Sequence, residues 1–379
     1  MRFGIYLHWP YCARICPYCD FNVWRASDGQ EDGALLDAIL TDLAGQARRV
    51  GPRRAHALHF GGGTPSLLSP GAVARVIAAV EAGFGFAAGA EIGLELNPQE
   101  EARIADFAAA GINRLSIGVQ SLEETALRGN LRRGHAAGQG LAAVERAAGL
   151  GLRVSIDLIY ARQAQTLEGW RQELERALAL PVEHLSAYQL SLEAGTGPVE
   201  QWRRKQRPAL PQEPLAAAMF EATQEITAAA GFPAYEISNH AHSAAAQSRH
   251  NLLYWRGEEW LGIGPGAHGR VALGGVRHAT ETPKARAAYL ARVAETGVGW
   301  SLCEALDARA EGEERAMMGL RLTEGVDLPW LERLLGPLPI APLLELGLVV
   351  LDQERLRLTA AGRLVADRVA CDLLAQPPH

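Results

Sequence analysis

The chain has 379 residues, of which 48% are hydrophobic and 21% are charged. This size suffices for one large domain and one small domain with a substantial buried core. The net charge of -6 and the pI near 6.0 argue against broad nucleic-acid binding, which needs a basic face. No apolar run reaches the roughly 20 residues of a membrane span, and no targeting peptide precedes the first strand, so we expect a cytoplasmic protein.

Apolar periodicity predicts strands that alternate with helices over the first half of the chain. The predicted strands are 3–8, 55–60, 91–96, 114–119, 153–159 and 184–190, and the predicted helices are 32–50, 70–82, 100–110, two within 121–150, and 167–180. This alternation predicts an α/β fold with a parallel sheet, closed into a barrel or into part of one. An open doubly wound sheet fits the same pattern.

Polar residues follow the carboxyl ends of successive strands, and this favours the barrel, because parallel barrels build their sites there. Three glycines at 61–63 follow the second strand, where backbone groups can approach a ligand closely. Glu95, Gln120 and Asp157 lie at or near the ends of the next three strands. Each one alone has a simple explanation as a satisfied buried polar group. Together they indicate a binding site.

Three cysteines form a C-x3-C-x2-C motif directly after the first strand: Cys12, Cys16 and Cys19. Three thiolates can hold a four-iron cluster and leave one iron without a protein ligand, where chemistry can occur. A structural zinc site is the alternative, but it needs a fourth ligand, and the nearest candidate is His8 on the preceding strand. The remaining cysteines, at 303 and 371, are expected to be buried small hydrophobes.

These motifs resemble the radical S-adenosylmethionine (SAM) enzymes related to HemN, the oxygen-independent coproporphyrinogen III dehydrogenase. The cysteine triplet, GGGTP at 61–65, Glu95, GVQ at 118–120 and DLIY at 157–160 occur in the family's order, and the resemblance runs from Met1 to the end. In that family a [4Fe-4S] cluster binds three thiolates, and its open iron chelates the amino and carboxylate groups of SAM. An electron from the cluster can then cleave the sulfonium.

The resemblance implies a partial (β/α)6 TIM-like radical SAM barrel over residues 1–235 and a connecting segment over 236–300. A small HemN-type carboxyl-terminal domain, winged-helix-like, would follow over 301–379. Within the first region, the stretch 193–214 contains a basic cluster at 203–207 and several prolines, and it predicts a solvated connector.

Residue by residue, the resemblance makes the three cysteines ligands of the cluster. The expected SAM contacts are Tyr6, Gly62, Gly63, Thr64, Glu95, Gln120, Asp157 and an arginine. Counting from Gln120 selects Arg132, whereas the family's R-x-H pattern selects Arg133 with His135, which we prefer. After DLIY the family usually reads GLP, but this chain has Ala-Arg-Gln at 161–163, so the loop has different backbone options.

Three features favour the family's heme-chaperone branch over the dehydrogenase. Phe21 occupies the position of the dehydrogenase's additional cysteine, and eleven residues precede Cys12, where the dehydrogenase has a long extension. The segment HNLLYW at 250–255 matches a motif associated with heme binding in that branch, which makes His250 a hypothetical axial ligand of heme iron. A hydrogen-bonded structural corner is the alternative explanation of this segment.

The expected function is therefore that of a heme chaperone which binds heme, a [4Fe-4S] cluster and SAM, and passes heme to client apo-hemoproteins. A homodimer and a transient membrane-protein client are both compatible with it, and nucleic acid is not an expected partner. The alternative is the enzyme reaction of the family, the oxidative decarboxylation of coproporphyrinogen III.

Overall fold

The structure, a computed structural model, describes residues 2–26, 32–191 and 210–375. Most of the expected connector at 193–214, including its basic cluster, lies outside the described residues. The described strands are β1 (Phe3–Trp9), β2 (Tyr11–Cys12), β3 (Trp24–Arg25), β4 (Ala55–Gly62), β5 (Phe86–Leu96), β6 (Arg114–Gln120), β7 (Arg153–Tyr160), β8 (His184–Gln189), β9 (Asn239–Ala241), β10 (Glu259–Ile263), β11 (His268–Leu273), β12 (Val276–Glu281), β13 (Leu302–Ala305), β14 (Val326–Asp327), β15 (Val349–Asp352) and β16 (Arg355–Leu358).

Eleven of these strands form one sheet in the order β13-β12-β11-β10-β1-β4-β5-β6-β7-β8-β9. The pairs from β10 through β1 and β4 to β8 are parallel, and the outer pairs on both sides are antiparallel. The six predicted strands are therefore confirmed as the consecutive parallel strands β1, β4, β5, β6, β7 and β8. Because the described sheet does not close on itself, the α/β fold is a partial barrel.

Helices connect the parallel strands and cover their outer face. The described α-helices are α1 (Gly33–Val50), α2 (Pro70–Gly83), α3 (Ile104–Ala109), α4 (Glu124–Arg128), α5 (Ala137–Gly149), α6 (Leu167–Leu178), α7 (Glu213–Ala229), α8 (Arg249–Trp255), α9 (Arg286–Thr296), α10 (Ala308–Gly319), α11 (Leu328–Leu335), α12 (Ile340–Glu345), α13 (Ala360–Leu364) and α14 (Ala366–Leu374). Apolar side chains from the helices and strands, among them Leu43, Phe60 and Ile117, pack into one large buried core. Among the described residues, no helix is both long and apolar enough to cross a membrane.

Two expectations are corrected. The segment 236–300 is more than a connection, because it supplies β9 to one side of the main sheet and β10, β11 and β12 to the other. These strands are only three to six residues long, and β9 and β10 pair with strands far away in sequence, so periodicity gives little sign of them. Cys303 and Cys371 are exposed rather than buried. Cys303 lies on the edge strand β13, which leaves one side of its backbone uncovered.

The carboxyl-terminal part builds a small unit with its own core. Strands β14, β16 and β15 form a three-stranded antiparallel sheet next to helices α10 to α14, as expected for a winged-helix-like domain. Leu331, Leu343, Leu356 and Leu373 are almost completely buried in this second core. The domain attaches to the barrel through contacts such as the one from the Arg363 guanidinium to the backbone carbonyl of Glu236, at 2.8 Å.

The loop after β7, where this chain departs from the family's GLP, contains a buried ion pair. The Arg162 guanidinium pairs with the Glu173 carboxylate of α6, and their side chains are only 5% and 1% exposed. The same carboxylate accepts hydrogen bonds from the hydroxyl of Ser121 and from the backbone N–H of Leu122, at 2.7 Å for the latter. Glu173 thus joins the loop after β6 to the loop after β7.

We expect Arg162→Ala to destabilise the protein by about 3–5 kcal/mol, because it leaves the Glu173 carboxylate buried without its charged partner. The matched control is Arg171→Ala on α6, the helix that carries Glu173, since Arg171 forms an exposed pair with Glu225. Its expected cost is below about 1 kcal/mol. Urea unfolding of the metal-free protein measures both values, and equal costs would contradict the assignment of Arg162 to a buried structural pair.

Candidate functional site

The carboxyl ends of the parallel strands surround a cavity of about 330 Å³, which we call the cysteine cavity. Most of the residues selected from the sequence line it together. They are Cys12, Cys16, Cys19, Gly62, Gly63, Thr64, Glu95, Gln120, Arg133 and Asp157. Tyr6 and His250 do not belong to its lining. The short strands β2 and β3 pair with each other and hold the first part of the cysteine loop in place.

The cysteine loop presents three reduced thiols to this cavity. Cys12 is buried, Cys16 and Cys19 are partly exposed, and a turn joins the last two through a 3.2 Å hydrogen bond from Cys19 N–H to the Cys16 carbonyl. Burial raises the pKa of Cys12 above its usual value and the pKa of Cys19 to about 11. Both thiols are thus protonated at neutral pH, and binding of a metal group must displace their protons.

The donor set fits an iron–sulfur cluster better than a zinc ion. Within the residues that the structure describes, no three histidine, cysteine or acidic side chains gather around a position for one ion. Three cysteines that bind three different irons of a cluster are spread more widely than the ligands of one ion. His8, the candidate fourth zinc ligand, is held elsewhere: its Nδ1 contacts the Tyr6 hydroxyl at 3.0 Å and its Nε2 the carbonyl of Asn22 at 2.9 Å.

The glycine run is bonded directly to the cysteine loop. The N–H of Gly63 donates to the Trp9 carbonyl at 2.7 Å, and the N–H of Thr64 donates to the Tyr11 carbonyl at 2.9 Å. A Cβ atom on Gly63 would lie 2.7 Å from the carbonyl oxygen of Pro10, so only glycine fits this position. Because an ammonium group only donates hydrogen bonds, contacts from this run to such a group would come from carbonyl or hydroxyl oxygens.

The backbone at the end of β6 is strained where it meets the cavity. Gln120 has a φ of +65°, which is rare for residues other than glycine, and the register with β7 shifts between Ile117 and Gln120. Such conformations cost free energy and persist where the surrounding structure enforces them. Here the Glu173 carboxylate fixes the next two residues, and the Gln120 side chain is directed into the cavity.

The structure distinguishes the two candidate arginines. Arg133 lines the cavity, and its guanidinium donates to the Cys16 sulfur at 3.3 Å and to the Gly118 carbonyl at 3.2 Å. Arg132 is exposed and has a φ of +49°, which directs the chain so that its neighbour faces inward. His135 secures this loop by donating from Nε2 to the Val119 carbonyl at 3.1 Å. Sequence counting alone left this choice open.

The interior of the barrel below the cavity is polar. The Ser116 hydroxyl donates to the Asp157 carboxylate at 3.1 Å, and Ser186 on β8 also bonds this carboxylate. Burial raises the pKa of Asp157 to about 6, and the nearby Glu95 carboxylate adds to the effect. A second, smaller cavity of about 80 Å³ continues below, lined by residues that include Arg114 and Asn251. Parallel barrels usually fill this space with branched apolar side chains.

Sequence reasoning missed the polar residues that support the site from inside the barrel. They are His59, Arg114, Ser116, Ser155, His184 and Ser186. The available signal was their alternation: they occupy every second position of β4, β6, β7 and β8, which places them on the inner face.

Tyr6 and His250 lie together below the cavity. Tyr6 is deeply enclosed, and burial raises the pKa of its hydroxyl well above its usual value. His250 is 8% exposed, and its imidazole stacks on the ring of His59, with centroids 4.1 Å apart. Neighbouring aromatic rings cover the imidazole of His250, the hypothetical axial ligand of heme iron.

Comparison with known proteins agrees with this geometry. The family described as "Radical SAM superfamily" matches residues 6–177, and the "HemN C-terminal domain" matches residues 306–365. The solved structure titled "Coproporphyrinogen III oxidase (HemN) from Escherichia coli is a Radical SAM enzyme" has a TM-score of 0.82. The alignment covers 98% of this chain and 90% of that one, and at 23% identity it shows the shared fold.

Curated relatives match over nearly the whole length. "Radical S-adenosyl methionine domain-containing protein 1, mitochondrial" of Mus musculus is 38% identical, covering 99% of this chain and 88% of the relative. "Heme chaperone HemW" of Mycobacterium tuberculosis is 34% identical, covering 98% and 95%, and that of Escherichia coli is 37% identical, covering 77% of each chain.

A partial parallel barrel with three cysteines at the carboxyl ends of its strands defines the class of protein. The chain belongs to the radical SAM superfamily. Its full-length relatives and its HemN-type carboxyl-terminal domain place it, within that superfamily, among the HemN-like proteins that include the heme chaperones named HemW.

We expect Asp157→Asn to stabilise the metal-free protein at pH 8 by about 1–2 kcal/mol. The folded-state pKa of about 6 lies above that of an unfolded aspartate. Stability due to this group is therefore complete below the unfolded pKa and is lost as the pH rises through about 6. The gain in the variant should disappear near pH 4.

Urea unfolding between pH 4 and pH 8 measures this difference. Asp37→Asn is the control, because Asp37 lies on the surface with a side chain that is 70% exposed. A gain of the same size at pH 4 and pH 8 would contradict the origin of the effect in the ionisation of Asp157.

Proposed function

We propose that this protein is a heme chaperone of the radical SAM type, which binds a [4Fe-4S] cluster, SAM and heme and transfers heme to apo-hemoproteins. The observation that carries the proposal is Phe21. The family's dehydrogenase has an additional cysteine at this position, whereas here an aromatic ring that is 63% exposed borders the cysteine cavity. Relatives of similar length that bear the name heme chaperone support the same conclusion.

In this proposal the thiolates of Cys12, Cys16 and Cys19 would each hold one iron of the cluster, and one iron would be left without a protein ligand. When bound, the cluster supplies an electron and an open coordination position for SAM. Glu95, Gln120, Arg133 and Asp157 then act as hydrogen-bonding partners of SAM, and the glycine run contributes oxygen acceptors. Arg133 is suited to the SAM carboxylate, since a guanidinium donates two parallel hydrogen bonds.

The mouth of the cavity supports a place for heme. Ile15, Phe21 and Tyr188, which we call the apolar rim, are 46%, 63% and 42% exposed, although all three are large apolar or aromatic residues. Exposed apolar patches beside a cavity commonly mark binding sites, and flat aromatic faces pack well against a macrocycle. Arg14 also lines the mouth and can pair with a propionate of the porphyrin.

Axial ligation of heme by His250 is not needed in this proposal. The His250 ring lies below the cysteine cavity under other rings, whereas the apolar rim is open. The proposed clients remain apo-hemoproteins, including a transient membrane-protein client, and the homodimer and the cytoplasmic location stay predictions. The dehydrogenase reaction remains the second candidate, supported by the likeness of the whole fold to HemN.

We expect Phe21→Ser to weaken heme binding about 5- to 10-fold, because it removes aromatic contact area worth about 1 kcal/mol or more from the apolar rim. Leu346→Ser is the control, since Leu346 is 69% exposed but lies on the carboxyl-terminal domain. Titration of anaerobically reconstituted protein with hemin, followed by the Soret band, gives both affinities. Equal heme affinities of the two variants would mean that heme does not bind at the apolar rim.

Transfer is tested by mixing the heme-loaded protein with apomyoglobin and following the spectrum of the acceptor. We expect transfer faster than spontaneous heme loss from a control of heme-loaded albumin. The same reconstituted protein, supplied with SAM and a reductant, should leave coproporphyrinogen III unchanged. Formation of protoporphyrinogen would overturn the chaperone in favour of the dehydrogenase.

A further inference from the structure

Helix α8, which carries HNLLYW, covers the end of the partial barrel opposite the cysteine loop. The backbone N–H of His250 donates to the carboxylate of Glu91 at 3.1 Å, in the middle of β5. Glu91 is 1% exposed and also pairs with Arg153, at 3.1 Å. Leu253 packs so closely on Gly4 of β1 that a Cβ atom there would lie 2.2 Å away. Helix α8 is thus fixed to strands β1 and β5.

His250 forms an aromatic stack inside this closure. Its imidazole lies almost parallel to the ring of His59, at an angle of 7° and a centroid distance of 4.1 Å. Tyr6 adds a third nearly parallel ring, 5.7 Å from His250. Burial lowers the pKa of His250 well below its usual value, so its ring is neutral, and it stacks without a repulsive charge. The neighbours thus hold His59 in one orientation.

His59 connects the aromatic stack to Glu95, which lines the cysteine cavity. Its Nε2 lies 3.2 Å from Oε1 of Glu95, and because a carboxylate accepts, the imidazole donates. The other carboxylate oxygen accepts from the N–H of Gly62, at 3.3 Å. Glu95 is therefore aimed by two donors, one from the glycine run and one from the stacked histidine.

Two glycines leave room for this arrangement. A Cβ atom on Gly93 would lie 2.9 Å from Nδ1 of His59, and a Cβ atom on Gly61 would lie 2.9 Å from Oε1 of Glu95. Real Cβ atoms do not approach other heavy atoms this closely, so a larger residue at either position would displace the ring or the carboxylate. The lack of a side chain at Gly61 of β4 and at Gly93 of β5 thus leaves space for the contact between His59 and Glu95.

We propose that His250 is a positioning residue for the cysteine cavity, which fixes the Glu95 carboxylate through the stacked ring of His59. The proposal rests on the SAM half of the proposed function, because Glu95 is one of the expected SAM contacts. In this role the HNLLYW segment supports the cysteine cavity and does not require heme. The contribution of His250 lies in its flat ring, and a nitrogen capable of binding iron is not required.

The test compares SAM binding to the anaerobically reconstituted wild type with His250→Ala and His250→Phe. Equilibrium dialysis gives the affinity per cluster, and the change of the reduced cluster's electron paramagnetic resonance signal on SAM addition reports contact with the iron. We expect His250→Ala to weaken SAM binding about 10-fold, as for other residues that orient a ligand-binding group. His250→Phe keeps a ring and should stay within about 2-fold of the wild type.

A double-mutant cycle tests the connection through His59. His59→Ala should weaken SAM binding about as much as His250→Ala, and the double variant should lose little more, since both changes interrupt one chain of contacts. Iron content and thermal melting of each variant separate this effect from a general loss of fold. His278→Ala, on strand β12 of the same sheet, is the control for a histidine outside the stack.

Four outcomes decide the matter. Equal SAM affinity of His250→Ala and the wild type would overturn the proposal. So would additive losses in the double variant, because they would mean that the two histidines act separately. If both His250 variants lose the Soret signal of heme but keep SAM affinity, His250 acts on heme instead. A wild type that carries the cluster but does not bind SAM would refute the proposed function itself.

Discussion

The candidate site depends on one constraint: each polar group that faces the barrel interior must find a partner there. An unpaired polar group that is buried in such a place costs on the order of 2–7 kcal/mol. The barrel meets most of this constraint with side chains from neighbouring strands, although Nδ1 of His59 and one terminal nitrogen of Arg114 have no hydrogen-bond partner. Ser116 bonds Asp157, Ser155 bonds His184 at 2.6 Å, and His184 reaches the Tyr235 hydroxyl at 2.9 Å. These two groups of hydrogen bonds support the polar interior below a carboxylate-lined cavity, within an apolar shell.

Alternation along the strands separates these two environments. The outward-facing residues Leu94, Ile117 and Ile156 are essentially inaccessible and pack against the helices, while their neighbours in sequence face the polar interior. The apolar half of this pattern made the strands predictable. The polar half was visible only at the ends, where Glu95, Gln120 and Asp157 stand out among apolar residues. Inside the strands, single serines and histidines carried too little signal to assign.

Other parts of the site could not be predicted because they depend on contacts between distant segments. His250 contacts His59 in a fold where β10 pairs with β1, a match between residues some 250 positions apart, for example Phe3 with Glu259. The identity of the inward arginine depends on a left-handed backbone at Arg132, which spacing does not reveal. The buried pair of Arg162 likewise depends on a partner, Glu173, on another element.

The pairing of β1 with strands on both sides has a consequence for the lifetime of the metal site. Hydrogen bonds to β10 and β4 surround the strand from which the cysteine loop extends, so the loop begins at a central strand and not at an edge. Central strands exchange their amide hydrogens last, because they open only when the domain as a whole unfolds. Loss of the proposed cluster would therefore leave the base of the loop intact. Rebuilding the cluster would require iron and sulfide but no refolding of the chain.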